Sequence, residues 1–92
     1  LFWHIEKQLL RCSTSVAANY RAANLAQSKA AFVAKLSIVV EEADECIFWL
    51  ELLSEEGLIS EEQCKPIIQE SKELTAIFVA ARKTAAYRSA NP

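Results

Sequence analysis

The side chains able to do chemistry in this 92-residue chain are few: one histidine, His4, three cysteines, Cys12, Cys46 and Cys64, and a cluster of acids, Glu41, Glu42, Asp44 and Glu45. A nucleophilic dyad would need His4 beside a thiol or a serine hydroxyl, placed to take its proton as the new bond forms. His4 stands near the start of the chain, on a helix end that frays, so it reads as a structural or solvent-exposed residue. A carboxylate metal site inside a helical bundle uses Glu-x-x-His pairs on facing helices. No Glu-x-x-His occurs here, and without imidazoles the acids read as a solvated or inter-subunit face. The thiols show neither Cys-x-x-Cys nor zinc spacing. One glycine cannot build a glycine-rich phosphate loop. The expectation is a protein with no enzymatic activity, no metal, no cofactor and no small-molecule substrate.

The elements that carry these residues follow from how rarely the chain can turn. Hydrophobic residues make up 52% and charged residues 24%, the balance of a folded domain. With one glycine and two prolines there are too few turn residues for a sheet or a loop-rich fold. The chain can reverse once or twice, so its elements must be long.

Apolar side chains recur at spacings of three and four, one face of a helix, in three segments. The first spans about 2–23, with Phe2, Ile5, Leu9, Cys12, Val16, Tyr20 and Ala23 on the stripe. Ser13, Thr14 and Ser15 are weak helix formers whose hydroxyls can bond back to the preceding turn. Residues 24–28 form the first reversal, with Ser28 suited to cap the next helix. The second segment spans about 29–55, roughly 40 Å of helix. Its seam is Phe32, Leu36, Val39, Ala43, Cys46, Leu50 and Leu53, and Ile38, Val40, Ile47, Phe48, Trp49 and Leu52 widen it on both sides. So wide a stripe requires more than one neighbour. Gly57 suits the left-handed helix stop, and Ser60-Glu61-Glu62-Gln63 is a capping-box pattern for the next start. The third segment spans about 61–87, on a seam of Cys64, Ile67, Ser71, Leu74, Phe78, Ala81 and Ala85. Pro66 predicts a kink or a loosened first turn, and Asn91-Pro92 a frayed end.

The fold class expected is all-α: an antiparallel up–down helical bundle, one domain over 1–92, three long helices visible of an expected four. The periodic pattern is already under way at Phe2, which predicts a further helix before it. Asn19 lies on or beside the apolar face, where a polar residue sets register through a buried hydrogen bond. Phe48 and Trp49 flank the seam of the second helix and are candidates for a homo-oligomer contact.

The charge layout is uneven. The net charge is −2, which draws neither nucleic acid nor anionic membrane to the molecule as a whole. In an up–down–up arrangement, however, Arg21, Lys29, Lys35, Arg82, Lys83 and Arg88 collect at one pole, and Glu51, Glu55, Glu56, Glu61 and Glu62 at the other. Helix dipoles account for acids at helix starts and bases at helix ends, but not for Lys29 at a start. A basic pole is a candidate surface for RNA or DNA. No apolar run approaches the roughly 18 residues that span a bilayer, and no signal peptide is visible. An odd number of scattered cysteines fits a reduced cytoplasmic compartment, each thiol serving as a small apolar residue.

Certain stretches are more specific. Gln8-Leu9-Leu10-Arg11, Ser15-Val16-Ala17-Ala18-Asn19, Lys29-Ala30-Ala31-Phe32, Glu42-Ala43-Asp44-Glu45 and Trp49-Leu50-Glu51-Leu52-Leu53 occur in one order on successive helices. From about Lys7 to Lys83 the chain resembles the bacterial four-helix-bundle family of proteins encoded in intervening sequences of large-subunit ribosomal RNA genes. The resemblance implies a four-helix bundle able to form a ring, typically a homopentamer, with no established enzymatic activity. A related group, the accessory proteins of diversity-generating retroelements, forms a similar barrel and binds a reverse transcriptase and nucleic acid. The family carries a helix before the first one seen here.

Overall fold

The computed structural model describes residues 1–90, with side chains through Arg88; Asn91 and Pro92, expected as a frayed end, lie outside the described residues. Three helices account for nearly all of it: α1, Phe2–Asn24; α2, Lys29–Glu55; and α3, Glu61–Ala90. No strand occurs among the described residues. α1 runs one residue beyond the expected span, and α3 reaches Ala90 rather than 87.

Local chemistry sets the ends. Ser28 is extended and its hydroxyl accepts the amide of Ala31 at 3.0 Å, satisfying a donor of α2's first turn. α2 stops at Gly57, whose φ of 67° is the left-handed conformation. The amide of Leu58 donates to the Leu53 carbonyl at 3.1 Å and that of Gly57 to the Ser54 carbonyl at 3.1 Å, the paired bonds of a Schellman stop. At the start of α3 the Ser60 hydroxyl accepts the Gln63 amide at 3.2 Å. The return half of the capping box differs from expectation: the Ser60 hydroxyl donates to the Gln63 side-chain carbonyl at 3.2 Å, so side chain meets side chain. α3 continues through Pro66 without a break. In α1, Thr14 bonds back to the carbonyls of Leu10, at 2.7 Å, and Arg11, at 3.0 Å, so the weak segment stays helical.

α2 is the middle helix. Its backbone packs against both α1 and α3, whereas the backbones of α1 and α3 do not approach each other among the described residues. Partners on α2 fall in number as those on α1 rise: His4 meets Trp49, Arg11 meets Glu42 and Glu45, and Cys12 meets Cys46. Burial follows this layout. Leu36, Val39, Ala43, Ile47 and Leu53 of α2 are buried, against Ile5, Cys12 and Ala23 of α1 and, among the described side chains of α3, Cys64 alone. One cluster joins all three helices: Ile5, Leu53 and Cys64, with Leu9, Trp49, Leu50, Leu52, Ile59 and Ile68 packed around it.

The expected seam of α3 is therefore mostly not core. Ile67 and Leu74, placed there by heptad spacing, are 52% and 47% exposed. Two of the three flanks of a bundle interior are covered and the third is open.

Candidate functional site

That open flank is an apolar groove of about 480 Å³. Ala43, Cys46 and Leu50 of α2 form its floor; Leu9, Leu10 and Val16 of α1 and Ile67, Leu74 and Phe78 of α3 form its walls. Toward one end the walls meet through the rings of Tyr20 and Phe78, tilted together with centroids 5.6 Å apart; toward the other, the Ile5–Leu53–Cys64 cluster joins all three helices.

Cys12 and Cys46 lie against each other across the α1–α2 contact, with sulfurs 2.9 Å apart. Cys12 is fully buried and its thiol also reaches the Leu9 carbonyl at 3.6 Å. A thiol has one proton, so with Cys12 donating to Leu9, Cys46 donates to the Cys12 sulfur. Burial first, then that hydrogen bond, with the charges of Glu42 and Glu45 adding, push the Cys46 thiol up to about 12. All three cysteines are free. The sequence treats them as separate apolar residues; the pairing escaped it. A signal was present, since Cys12 and Cys46 are equidistant along the chain from Lys29, as are Ile5 and Leu53.

The outer edge of α1–α2 is polar and aromatic. Arg11 bonds Glu42 at 3.1 Å and also Glu45, which takes part of the expected acid cluster into an inter-helix ion pair. The guanidinium, then the Trp49 indole N–H, hold the Glu45 carboxyl below its ordinary range. No group of three or more metal-ligating side chains is assembled among the described residues. Trp49 is committed within the subunit: its N–H donates to Glu45 at 3.3 Å, and its ring is met edge-on by His4 and Phe48, at 5.7 and 4.9 Å. Phe48, the other interface candidate, is 55% exposed. His4 lies about two helical turns from Cys12, roughly 12 Å at the helical rise, too far for a dyad.

Asn19 departs from expectation. Its amide donates to the carbonyl and hydroxyl oxygens of Ser15, at 2.9 and 3.1 Å, within its own helix. The preceding turn of α1 satisfies it, so no hydrogen bond from it reaches a neighbouring helix, and no polar residue is buried among the described residues.

Of the six cations expected at one pole, the structure brings Lys29 and Arg88 together on one shallow groove of about 350 Å³, with Phe32, Ala81, Thr84 and Ala85. Arg21 is in the last turn of α1, next to the Leu25–Ser28 reversal that leads to Lys29. Lys35 and Lys83 are exposed and Arg82 is half-buried. The salt bridges among the described residues are those of Arg11, so none of the six is tied to a carboxylate. No helix of the described residues is long and apolar enough to cross a membrane.

These features define a small all-helical bundle protein with one apolar face uncovered and a groove holding Lys29 and Arg88, neither in a salt bridge among the described residues. Residues 3–80 match the family model for the 23S rRNA-intervening sequence protein, and the chain belongs to that family. It is also similar to a crystal structure of a protein with unknown function from the S23 ribosomal protein family of Bacteroides thetaiotaomicron, at 42% identity and a TM-score of 0.82, over 86% of this chain and 73% of that one. No curated protein matches it.

Proposed function

We propose that this chain is a non-enzymatic, antiparallel bundle subunit that takes a fourth helix against its open groove and assembles with copies of itself into a ring in the cytoplasm. The observation that carries the reading is the groove: Leu10, Ile67 and Leu74 face it while 65%, 52% and 47% exposed, and a contiguous apolar surface of that kind marks an interaction site. The falling register of α1 partners on α2 supports the antiparallel course of that pair. Phe48, exposed beside a Trp49 already committed inside the subunit, supports a second contact on the outer edge of α2. Multi-angle light scattering tests the assembly. The expected result is a single oligomeric species that Phe48→Asp shifts to smaller mass; a monomer at tens of micromolar overturns it.

A second reading is favoured by one observation, the Lys29–Arg88 groove: these unpaired cations engage RNA or DNA, beside a reverse-transcriptase-like partner. Around a ring such grooves would repeat and add. Binding to mixed oligonucleotides should weaken steeply with salt, and Lys29→Glu with Arg88→Glu should abolish it at moderate ionic strength. Retention unchanged in the double variant rejects the surface.

A further inference from the structure

We propose that Cys12 and Cys46 are a redox-responsive thiol pair that a small hydroperoxide converts to a disulfide stapling α1 to α2. Three observations carry this. The two sulfurs are already in contact at 2.9 Å, across a helix–helix boundary, with a bond of about 2.05 Å to form. Cys46 lines the floor of the apolar groove and is half-buried, whereas Cys12 lies fully buried behind it, so while no fourth helix covers the groove the one thiol meets an entering oxidant and the other is placed to resolve. Cys64, the third thiol, is packed in the Ile5–Leu53 cluster, which includes neither Cys12 nor Cys46, so the pairing has one solution.

The chemistry balances as two steps. The Cys46 thiolate attacks one peroxide oxygen; the O–O bond breaks, a sulfenic acid forms on Cys46, and hydroxide leaves to take up the thiol proton as water. The Cys12 sulfur then attacks the sulfenic sulfur, forming the S–S bond. The S–O bond breaks, and its oxygen leaves as a second water carrying the Cys12 proton. Two thiols and one hydrogen peroxide give one disulfide and two waters. The protein loses two electrons and the peroxide gains them. A reducing thiol reverses the bond by exchange. The raised pKa of Cys46 keeps its thiolate scarce at neutral pH, so oxidation is slow there and quickens as pH rises.

The consequence is mechanical. The staple joins the groove's floor to one of its walls and closes the chain across the first reversal. The loop it closes predicts a rise in the unfolding midpoint on the order of 10 °C.

The test treats the full chain with hydrogen peroxide, followed by intact mass and cleavage after glutamate, which places each cysteine on its own peptide because Glu6, Glu45, Glu51 and Glu62 separate them. The expected result is a monomeric mass lower by two hydrogens, a Cys12 peptide joined to the Cys46 peptide, a free Cys64, and reversal by dithiothreitol. In Cys12→Ser the Cys46 sulfenic acid should persist and be trapped by dimedone. Three results overturn the proposal: a bond involving Cys64, a bond between two chains, or all three thiols intact under peroxide that oxidises the urea-unfolded chain. Because the wild-type peptide map decides among these, the proposal stays testable even if Cys12→Ser does not fold.

Discussion

Arg11 of α1 and Glu45 of α2 form an ion pair that the Arg11 guanidinium extends to Glu42 at 3.1 Å, so one side chain ties α1 to two successive turns of α2. Glu45 is also the acceptor for the Trp49 indole N–H, which joins the ion pair to the His4–Trp49–Phe48 ring cluster. The polar edge and the aromatic edge of the α1–α2 contact are therefore one network.

Arg11→Ala should lower stability slightly, because the Arg11 side chain is 47% exposed and solvent screens the pair. The deficit should shrink as sodium chloride rises toward 1 M. The acid side gives a sharper signature. Glu45's carboxyl titrates lower in the fold than in the open chain, first through its bond to Arg11, so its contribution is present above the ordinary carboxylate value. It is lost as pH falls through the depressed folded value. Thermal melts between pH 3 and 6 should show a shallower acid-side decline in Arg11→Ala than in the parent chain.

Ile5→Ala should cost about 2–5 kcal/mol. Ile5 is fully buried and is the contribution of α1 to the cluster that Leu53 and Cys64 complete, so truncation opens a hole where three helices meet. Urea unfolding should show a large fall in midpoint with little change in slope. Leu10→Ala, at 65% exposure on the groove wall, should move the same midpoint far less.

Cys46 should alkylate slowly at neutral pH. The groups facing it are Cys12 from α1 and Glu42 and Glu45 from its own helix, while α3 brings Ile67, Ser71, Leu74 and Phe78 to the same groove, none of them charged. With the thiol pushed up to about 12, its iodoacetamide rate should climb about tenfold per pH unit from 7 to about 11. In 8 M urea the rate should level off near the ordinary thiol value. The linkage has a fixed sign: the unfolded thiol releases its proton first, so above about pH 9 the unfolded state binds fewer protons and stability falls as pH rises. Cys46→Ala should flatten that alkaline decline.

Much of the fold was legible because its signals are local. Ser28, Gly57 and Ser60 act on backbone groups a few residues away, so the helix ends can be read from side-chain type alone. The three-and-four spacing marks the faces of α1 and α2, since periodicity reports which side of a rod is apolar. It does not report what covers that side. Asn19 looked like a cross-helix peg and is satisfied one turn back by Ser15; spacing cannot tell the two apart. The acids 41–45 looked like a solvated or inter-subunit face, and two of them, Glu42 and Glu45, are bound by a residue 31 and 34 positions earlier.

By itself, then, the sequence determined that the chain is three long helices and where two of them are capped, because these depend on backbone propensity, capping and periodicity within a segment. The tertiary structure decided that α2 lies in the middle, that α1 and α3 leave an apolar groove between them, that Lys29 and Arg88 share a surface, and that Cys12 touches Cys46. Those depend on how far each rod slides and rolls against its neighbour. That is settled by side-chain packing between residues distant in the chain, where a shift of one turn changes every partner.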